Sequence, residues 1–127
     1  MITGLPAVSN VTIRAQLVLD ARGRPVALRS SRLNHYKIQL WLEGVPDDAH
    51  AATWVLHDSY RDPVREILDG PCFGLQISTY GDYEIVVNVR RRRLTERFSV
   101  RISEALRAGH PSPTPEVAAA IAEIEAH

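Results

Sequence analysis

Hydrophobic and polar residues alternate along most of the chain, as they do in strands that bury one face. The clearest segment is 83–89, in which one face carries only large hydrophobic side chains, Tyr83, Ile85, Val87 and Val89. Weaker patterns predict further strands at 11–19, 26–28, 36–42, 52–56, 73–78 and 97–103, while 64–68 fits a strand or a helical turn. Frequent turn signals separate these segments, including the break at 69–71. We therefore predict an all-β fold, an immunoglobulin-like antiparallel β-sandwich of about seven or eight strands.

The C-terminal part of the chain changes from strand signals to helix signals. Residues 103–108 can form a helical turn closed by Gly109, and prolines then break the chain. Thr114 is a typical N-cap and Pro115 suits the first helical position, so a short helix is predicted, with one apolar face made of Val117, Ile121 and Ile124. We expect a sandwich domain at 1–103 and a helical extension at 104–127, which packs on the sandwich or else on a partner subunit.

Composition narrows the class of protein without naming a function. The 127 residues suit one domain, and 45% hydrophobic with 24% charged residues is ordinary for a globular protein. The formal net charge is zero, which removes any global attraction to nucleic acid or to an anionic membrane. Cys72 is the single cysteine, so no intrachain disulfide forms. The first residues lack a signal-peptide pattern and no apolar run has the length of a membrane span, so the expected location is the cytoplasm.

Two short clusters at the ends of predicted strands carry the candidate chemistry. Residues 56–60 read Leu-His-Asp-Ser-Tyr, and residues 79–83 read Thr-Tyr-Gly-Asp-Tyr. Each cluster combines aromatic rings with small polar groups, at positions where side chains leave the core and can meet a ligand. If both clusters lie at the same end of the sandwich, they form an aromatic slot that contains a hydroxyl group.

Catalytic, metal and cofactor functions are not indicated. In an extended strand His57 and Ser59 would face one side and Asp58 the other, so no Ser-His-Asp relay is predicted, and no nucleophile-elbow glycine pattern surrounds Ser59. The five histidines show no metal-ligand spacing. We therefore expect a protein that is not an enzyme and that has no catalytic residue, no metal site and no cofactor.

Several of these residues also have a purely structural interpretation. A tyrosine at a strand end often anchors a corner, and His57 can cap a loop. Tyr83 lies on the same face of its strand as Ile85, which points inward, so its side chain is as consistent with core packing as with ligand contact. A basic cluster follows the segment 83–89 and consists of Arg90, Arg91, Arg92 and Arg93. On a strand, at most two of these side chains would point to the same face. The cluster is therefore interpreted as a solvated strand edge rather than a nucleic-acid contact.

Three motifs, in order and spacing, resemble the YEATS domain family, most closely its prokaryotic branch. They are Leu-Trp-Leu-Glu-Gly at 40–44, the histidine-led motif at 55–63 that ends in proline, and Tyr-Gly-Asp-Tyr at 80–83. The resemblance covers roughly 36–90. It implies an immunoglobulin-like sandwich whose loops at one end hold an acylated lysine, and hence a binding module.

The resemblance also implies a set of ligand-binding residues, which are His57, Ser59, Tyr60, Tyr80, Gly81, Asp82 and Tyr83. Tyr60 and Tyr83 stand where acyl-lysine readers of the family usually have phenylalanine, and Asp82 stands where they have glycine. Asp82 could therefore close the far end of the slot or suit a charged ligand such as methyl-lysine.

An acylated lysine is neutral, so its site needs flat faces and hydrogen-bonding groups. Tyr60 and Tyr80 would sandwich the amide, the Ser59 hydroxyl and the Tyr80 backbone N–H would meet its carbonyl oxygen, and His57 would fix Ser59. Tyr83 would close the end of the slot.

The expected partner is thus a protein or peptide with an acylated lysine, or a small planar acyl ligand. Nucleic acid and membrane are not expected, and the oligomeric state stays open. The alternative is a structural or adaptor protein with a vestigial pocket, acting through the basic cluster or the C-terminal helix.

Overall fold

The computed structural model describes residues 9–68 and 71–127. Eight strands form in these residues, namely β1 (Thr12–Leu17), β2 (Ala27–Ser30), β3 (Leu33–Glu43), β4 (Ala51–Val55), β5 (Val64–Ile67), β6 (Leu75–Thr79), β7 (Glu84–Arg90) and β8 (Thr95–Arg101). A 3-10 turn at Pro71–Phe73 precedes β6, and two helices end the chain, α1 (Ile102–Gly109) and α2 (Pro115–Glu125). Residues 1–8, in which the sequence shows no targeting signal, and 69–70, part of a predicted break, lie outside the described residues.

The strands form two antiparallel sheets. In the first sheet β3 is central, because β1 and β2 pair with successive parts of one of its edges and β6 pairs with the other edge. The second sheet has the order β5-β4-β7-β8. The predicted immunoglobulin-like β-sandwich is confirmed, and the ambiguous segment at 64–68 forms a strand.

The core lies between the inner faces of the two sheets. Ile38, Leu40 and Leu42 of β3 are buried, and so are the alternate residues of β7, Ile85, Val87 and Val89. Trp54 of β4 is also completely buried, and its indole Nε1–H donates to the Phe73 carbonyl oxygen at 3.0 Å. Burial of alternate residues is what the sequence pattern predicts for strands with one face in a core.

Both C-terminal helices pack into the same core. The apolar face predicted for α2 is buried at Val117, Ile121 and Ile124, so this helix lies on the sandwich. The Tyr36 hydroxyl of β3 donates to the Glu123 carboxylate of α2 at 3.0 Å. Neither helix in the described part of the chain is long and apolar enough to span a membrane.

The helix α1 differs from the prediction in its start and its length. The sequence pattern extends the last strand to residue 103 and allows only one helical turn after it, whereas β8 ends at Arg101 and α1 has 8 residues. Ile102 is fully buried in the helix, and it would also occupy an apolar position in a continued strand. Hydrophobic alternation therefore cannot locate this boundary.

Gly109 marks the closest approach between α1 and β1. A Cβ atom at this position would overlap with the Ala15 carbonyl oxygen, which belongs to the backbone and cannot move aside easily. The Gln16 side-chain amide also donates to the Gly109 carbonyl oxygen at 3.2 Å. The glycine is required because the helix lies directly on the strand.

We expect Gly109→Ala to lower the free energy of unfolding by about 1 to 3 kcal/mol or more, because the added methyl group forces α1 away from β1. Chemical denaturation measures this change. The matched control is Ala108→Ser, at an exposed position of the same helix turn, which should change stability by less than about 0.5 kcal/mol. Equal stability of Gly109→Ala and the wild type would contradict the close packing.

His110, just after α1, makes stability depend on pH. Its Nε2 accepts a hydrogen bond from the Leu17 backbone N–H at 2.9 Å, which requires a neutral ring. Burial lowers the pKa of His110 below its ordinary value of 6.5. The unfolded chain therefore binds the proton more readily, and stability is lost as the pH falls below about 6.5.

The difference in stability between pH 7 and pH 5 should therefore be smaller in His110→Gln than in the wild type. The glutamine carbonyl can still accept a hydrogen bond but does not titrate. Urea denaturation at both pH values measures the difference. An unchanged pH dependence in this variant would show that His110 does not contribute to it.

Candidate ligand-binding site

The two sequence clusters meet at one end of the sandwich. The first follows β4 and the second follows β6, and these strands belong to different sheets. Together they enclose a cavity of about 270 Å³. It is lined by all seven predicted residues, His57, Ser59, Tyr60, Tyr80, Gly81, Asp82 and Tyr83, and also by His35, Ser78, Thr79 and His127.

One wall is built by a turn at His57. The Tyr60 backbone N–H donates to the His57 carbonyl oxygen at 3.1 Å, which closes the turn. The Ser59 backbone N–H donates to His57 Nδ1 at 3.1 Å, and Ser59 Oγ lies 2.9 Å from the same nitrogen. Because a backbone N–H can only donate, Nδ1 is the acceptor and carries no proton. The Ser59 hydroxyl must then direct its own proton to Nδ1, which leaves the Oγ lone pairs available as acceptors.

The opposite wall is the loop after β6. Thr79 is buried, and its Oγ1 donates to the Gly81 carbonyl oxygen at 2.7 Å and accepts from the Gly81 backbone N–H at 3.2 Å. These two hydrogen bonds hold the loop on which Tyr80 is displayed. The Tyr80 side chain is 41% exposed, and its ring meets the His35 ring edge-on, with centroids 5.3 Å apart. Tyr80 is therefore a partly exposed ring that lines the cavity and contacts His35.

Tyr60 joins the two walls. Its hydroxyl donates to the Ser78 carbonyl oxygen at 2.5 Å, across from the first cluster to the second. On the floor of the cavity the Tyr60 ring contacts the Tyr83 ring, with centroids 6.0 Å apart. The His57 ring also contacts Tyr83, with centroids 5.6 Å apart. Three aromatic rings thus line the first wall and the floor.

Tyr83 has both of the roles that its sequence position left open. Its ring packs against the core and also lines the cavity. Its hydroxyl is buried and has no hydrogen-bond partner among the described residues. Burial raises the pKa of Tyr83, and the nearby Tyr60 side chain raises it further, although the two hydroxyls do not meet in hydrogen-bonding geometry. A buried phenol without a partner is an unsatisfied polar group, which is uncommon in a packed protein.

Asp82 lines the cavity, but its carboxylate is directed to α1. Its Oδ1 accepts from the Ser103 backbone N–H at 3.0 Å, and its Oδ2 accepts from Ser103 Oγ at 2.7 Å. Arg101 adds an ion pair at 3.8 Å. The residue before α1, Arg101, provides no side-chain cap, so Asp82 supplies the cap and the negative charge that a helix N-terminus favours.

The sequence analysis did not find three of the lining residues, His35, Ser78 and His127. Both His35 and Ser78 lie outside the matching motifs; the pairing of β3 with β6 brings His35 to the cavity, whereas Ser78 directly precedes the second cluster on β6. His127 follows α2, and a Cβ atom on Gly81 would come within 3.3 Å of its carbonyl carbon. No local sequence signal marks His35 or His127, because each reaches the cavity through a long-range contact.

We expect Asp82→Ala to lower the free energy of unfolding by about 1 to 2 kcal/mol, since α1 loses its cap. Thermal or urea unfolding measures the loss. Asp58→Ala is the matched control, because Asp58 is exposed in the same end of the sandwich and makes no hydrogen bond to His57 in the described chain. If both variants are equally stable, Asp82 does not support the helix.

Comparison with known proteins identifies similar sequences and folds. The family model of the prokaryotic YEATS domain matches residues 36–102. The YEATS domain of yeast Yaf9 recognising an H3K122suc peptide has a TM-score of 0.53 at 18% identity, over 84% of this chain and 82% of that chain. A second structure of the Yaf9 domain has a TM-score of 0.51 at 19% identity, over 90% and 83%.

A third structure, the Yaf9 YEATS domain bound to H3K27ac, has a TM-score of 0.50 at 18% identity, over 78% of this chain and 77% of that chain. At these identities the likeness shows the fold alone. No curated protein matches the sequence.

Proposed function

Because the chain belongs to the prokaryotic YEATS domain family, as its three motifs predict, we propose that it is a non-enzymatic module that binds an acylated lysine. One observation carries the proposal, which is the convergence of both aromatic clusters on one cavity of about 270 Å³. The Yaf9 structures with H3K122suc and H3K27ac support a peptide as the kind of partner. A small planar acyl ligand is the other ligand that this cavity would suit.

The charge of the cavity favours a neutral ligand. Asp82 is the single acidic side chain among the described lining residues, and both of its oxygens are bonded to Ser103. A methyl-lysine site would need a cation held by aromatic faces and balanced by acid. The acylated side chain, which has lost its positive charge, fits this site better.

The polar groups suggest how the amide would be held. Tyr60 and Tyr80 stand on opposite walls and would receive the flat amide between them. Since the Ser59 proton is directed to His57, Ser59 Oγ would accept from the amide N–H of the ligand, rather than donate to its carbonyl oxygen. The Tyr80 backbone N–H would donate to that oxygen. Tyr83, which lines the cavity, would close the end of the slot.

The expected affinity is moderate. Each hydrogen bond contributes about 1 kcal/mol net, and each buried acyl carbon contributes about 0.8 kcal/mol. The cost of immobilising a flexible peptide opposes these gains. A dissociation constant in the micromolar range follows.

A hydrolase function has little support in the geometry. The nearest carboxylate in sequence, Asp58, is exposed, and no hydrogen bond joins it to His57 within the described residues. The Ser59 backbone N–H shares the His57 nitrogen that would have to act as base. His57 therefore orients Ser59, and the pair serves binding.

The adaptor alternative gains no support from the surfaces on which it depends. The apolar face of α2 is buried against the sandwich. Of the basic cluster, Arg91 pairs with Asp48 at 2.8 Å and Glu96 at 3.2 Å, and Arg90 pairs with Glu66 at 3.6 Å. Much of the charge that a partner would need is thus engaged within the chain.

We expect acetyl-lysine and crotonyl-lysine peptides to bind at least tenfold more tightly than the same peptide with unmodified lysine, because an ammonium group cannot be desolvated in this slot. Tyr80→Ala should weaken acyl-lysine binding about tenfold or more, since one face of the slot is lost. Isothermal titration calorimetry measures both effects. Leu28→Ala, an exposed apolar position on β2, is the control and should bind as the wild type does.

Ser59→Ala should also weaken acyl-lysine binding, by roughly fivefold to tenfold, through the loss of one hydrogen bond.

The proposal would be contradicted if the acetyl-lysine, crotonyl-lysine and unmodified peptides bound equally well, or if Tyr80→Ala kept the full affinity of the wild type.

A further inference from the structure

A second cavity lies behind the Tyr60 wall. Its volume is about 280 Å³, and it is lined by Lys37, Tyr60, Arg65, Gln76, Ile77 and Ser78. Tyr60 and Ser78 line both cavities, so the hydrogen bond between them lies in the partition. The second cavity lies beside β6 and differs from the first in charge. Two of its six described lining residues are cationic and none is acidic.

Arg65 is held in a defined position. Its Nε donates to the Asp62 carbonyl oxygen at 3.0 Å, and its guanidinium carbon lies 5.9 Å from the centroid of the Tyr60 ring. These contacts restrict the guanidinium group, and within the described residues its two terminal nitrogens are left for a further partner. A guanidinium group fixed in this way matches a carboxylate through two parallel hydrogen bonds.

Neither Arg65 nor Lys37 forms an ion pair with an acidic side chain within residues 9–68 and 71–127. Glu66, the next residue along β5, pairs with Arg90 at 3.6 Å. Lys37 is exposed on β3 opposite Ser78 of β6, and it lines the second cavity. Two positive charges beside one cavity attract a negatively charged group.

We propose that the second cavity binds the carboxylate of an aspartate or glutamate in the same peptide that places its acylated lysine in the first cavity. The inference rests on the proposed function. Arg65 would hold the carboxylate through its terminal nitrogens, and Lys37 would add a second, more mobile charge. The ligand is therefore a peptide in which an acidic residue lies a few positions from the acylated lysine.

We assign the acidic group to a residue of the peptide, and not to the end of a long acyl chain, because the Tyr60–Ser78 hydrogen bond separates the two cavities. The Tyr60–Ser78 hydrogen bond closes the direct way from the first cavity to the second. An acyl chain that ends in a carboxylate would have to break it. A neighbouring side chain of the peptide would enter the second cavity from the solvent instead.

The test uses acetyl-lysine peptides with alanine flanks in which one glutamate is moved through the four positions on each side of the lysine. We expect glutamate at one or two positions to raise the affinity about threefold to tenfold at low salt. The gain should shrink at high ionic strength, because the charges are partly exposed. Lys37→Glu and Arg65→Gln should each reduce this gain to less than twofold.

Arg97→Glu is the matched control, since it makes the same change in net charge as Lys37→Glu on exposed β8, away from both cavities, and it should keep the preference. The inference is overturned if no glutamate position improves binding, or if the preference survives both Lys37→Glu and Arg65→Gln. It is also overturned if Lys37 and Arg65 raise the affinity for a succinyl-lysine peptide but not for any acetyl-lysine peptide with a flanking glutamate.

A second measurement separates this inference from the proposed function. If no acyl-lysine peptide binds, a glutamate peptide with unmodified alanine in place of the lysine is titrated into labelled protein and followed by NMR. Amide shifts at Gln76, Ile77 and Ser78 that disappear in Arg65→Gln would support an acid site without an acyl-lysine pocket. If no acyl-lysine peptide binds and the spectra are also unchanged at millimolar concentrations of the glutamate peptide, both proposals are contradicted.

Discussion

The register between β3 and β6 is the constraint on which the site depends. Tyr36 lies opposite Thr79 in this pair, so Thr79 points inward and the following Tyr80 points out. A slip by one residue would exchange these faces. The same register places His35 beside Tyr80, and the Tyr36 hydroxyl ties α2 to the sheet through Glu123. One pairing therefore positions a cavity wall, the ring that supports it and the helix next to it.

Around the cavity the loops are held by short polar contacts in addition to aromatic packing. Thr79 bonds to Gly81, Ser59 bonds to His57, and Asp82 bonds to Ser103. These contacts satisfy the loops internally, so the walls are in place before any ligand arrives. The Tyr83 hydroxyl is the exception, since it is buried without a partner in the described chain. The walls of the site are thus largely preorganised, and one polar group among them remains without a hydrogen bond.

Much of the fold was predictable because strands have a period of two and most of them bury one face. The clusters could also be recognised, since they combine aromatic and hydroxyl residues where that alternation ends. The start of α1 was not predictable, because Ile102 suits a strand and a helix equally well. The Asp82–Ser103 contact spans 21 residues, and the contributions of His35 and His127 arise from tertiary contacts. A hydrophobic pattern reports on neighbouring residues, whereas these contacts join residues that are far apart in the sequence.

The position of Asp82 has a thermodynamic consequence. Its backbone belongs to the cavity loop, while its carboxylate caps the helix that packs on β1. A ligand that stabilises this loop would also stabilise the contact of the carboxylate with Ser103, and docking of α1 would in turn stabilise the loop. The coupling free energy is the same in both directions. Amide protons near the N-terminus of α1 should therefore exchange with solvent more slowly when the cavity is filled, although the ligand never touches the helix.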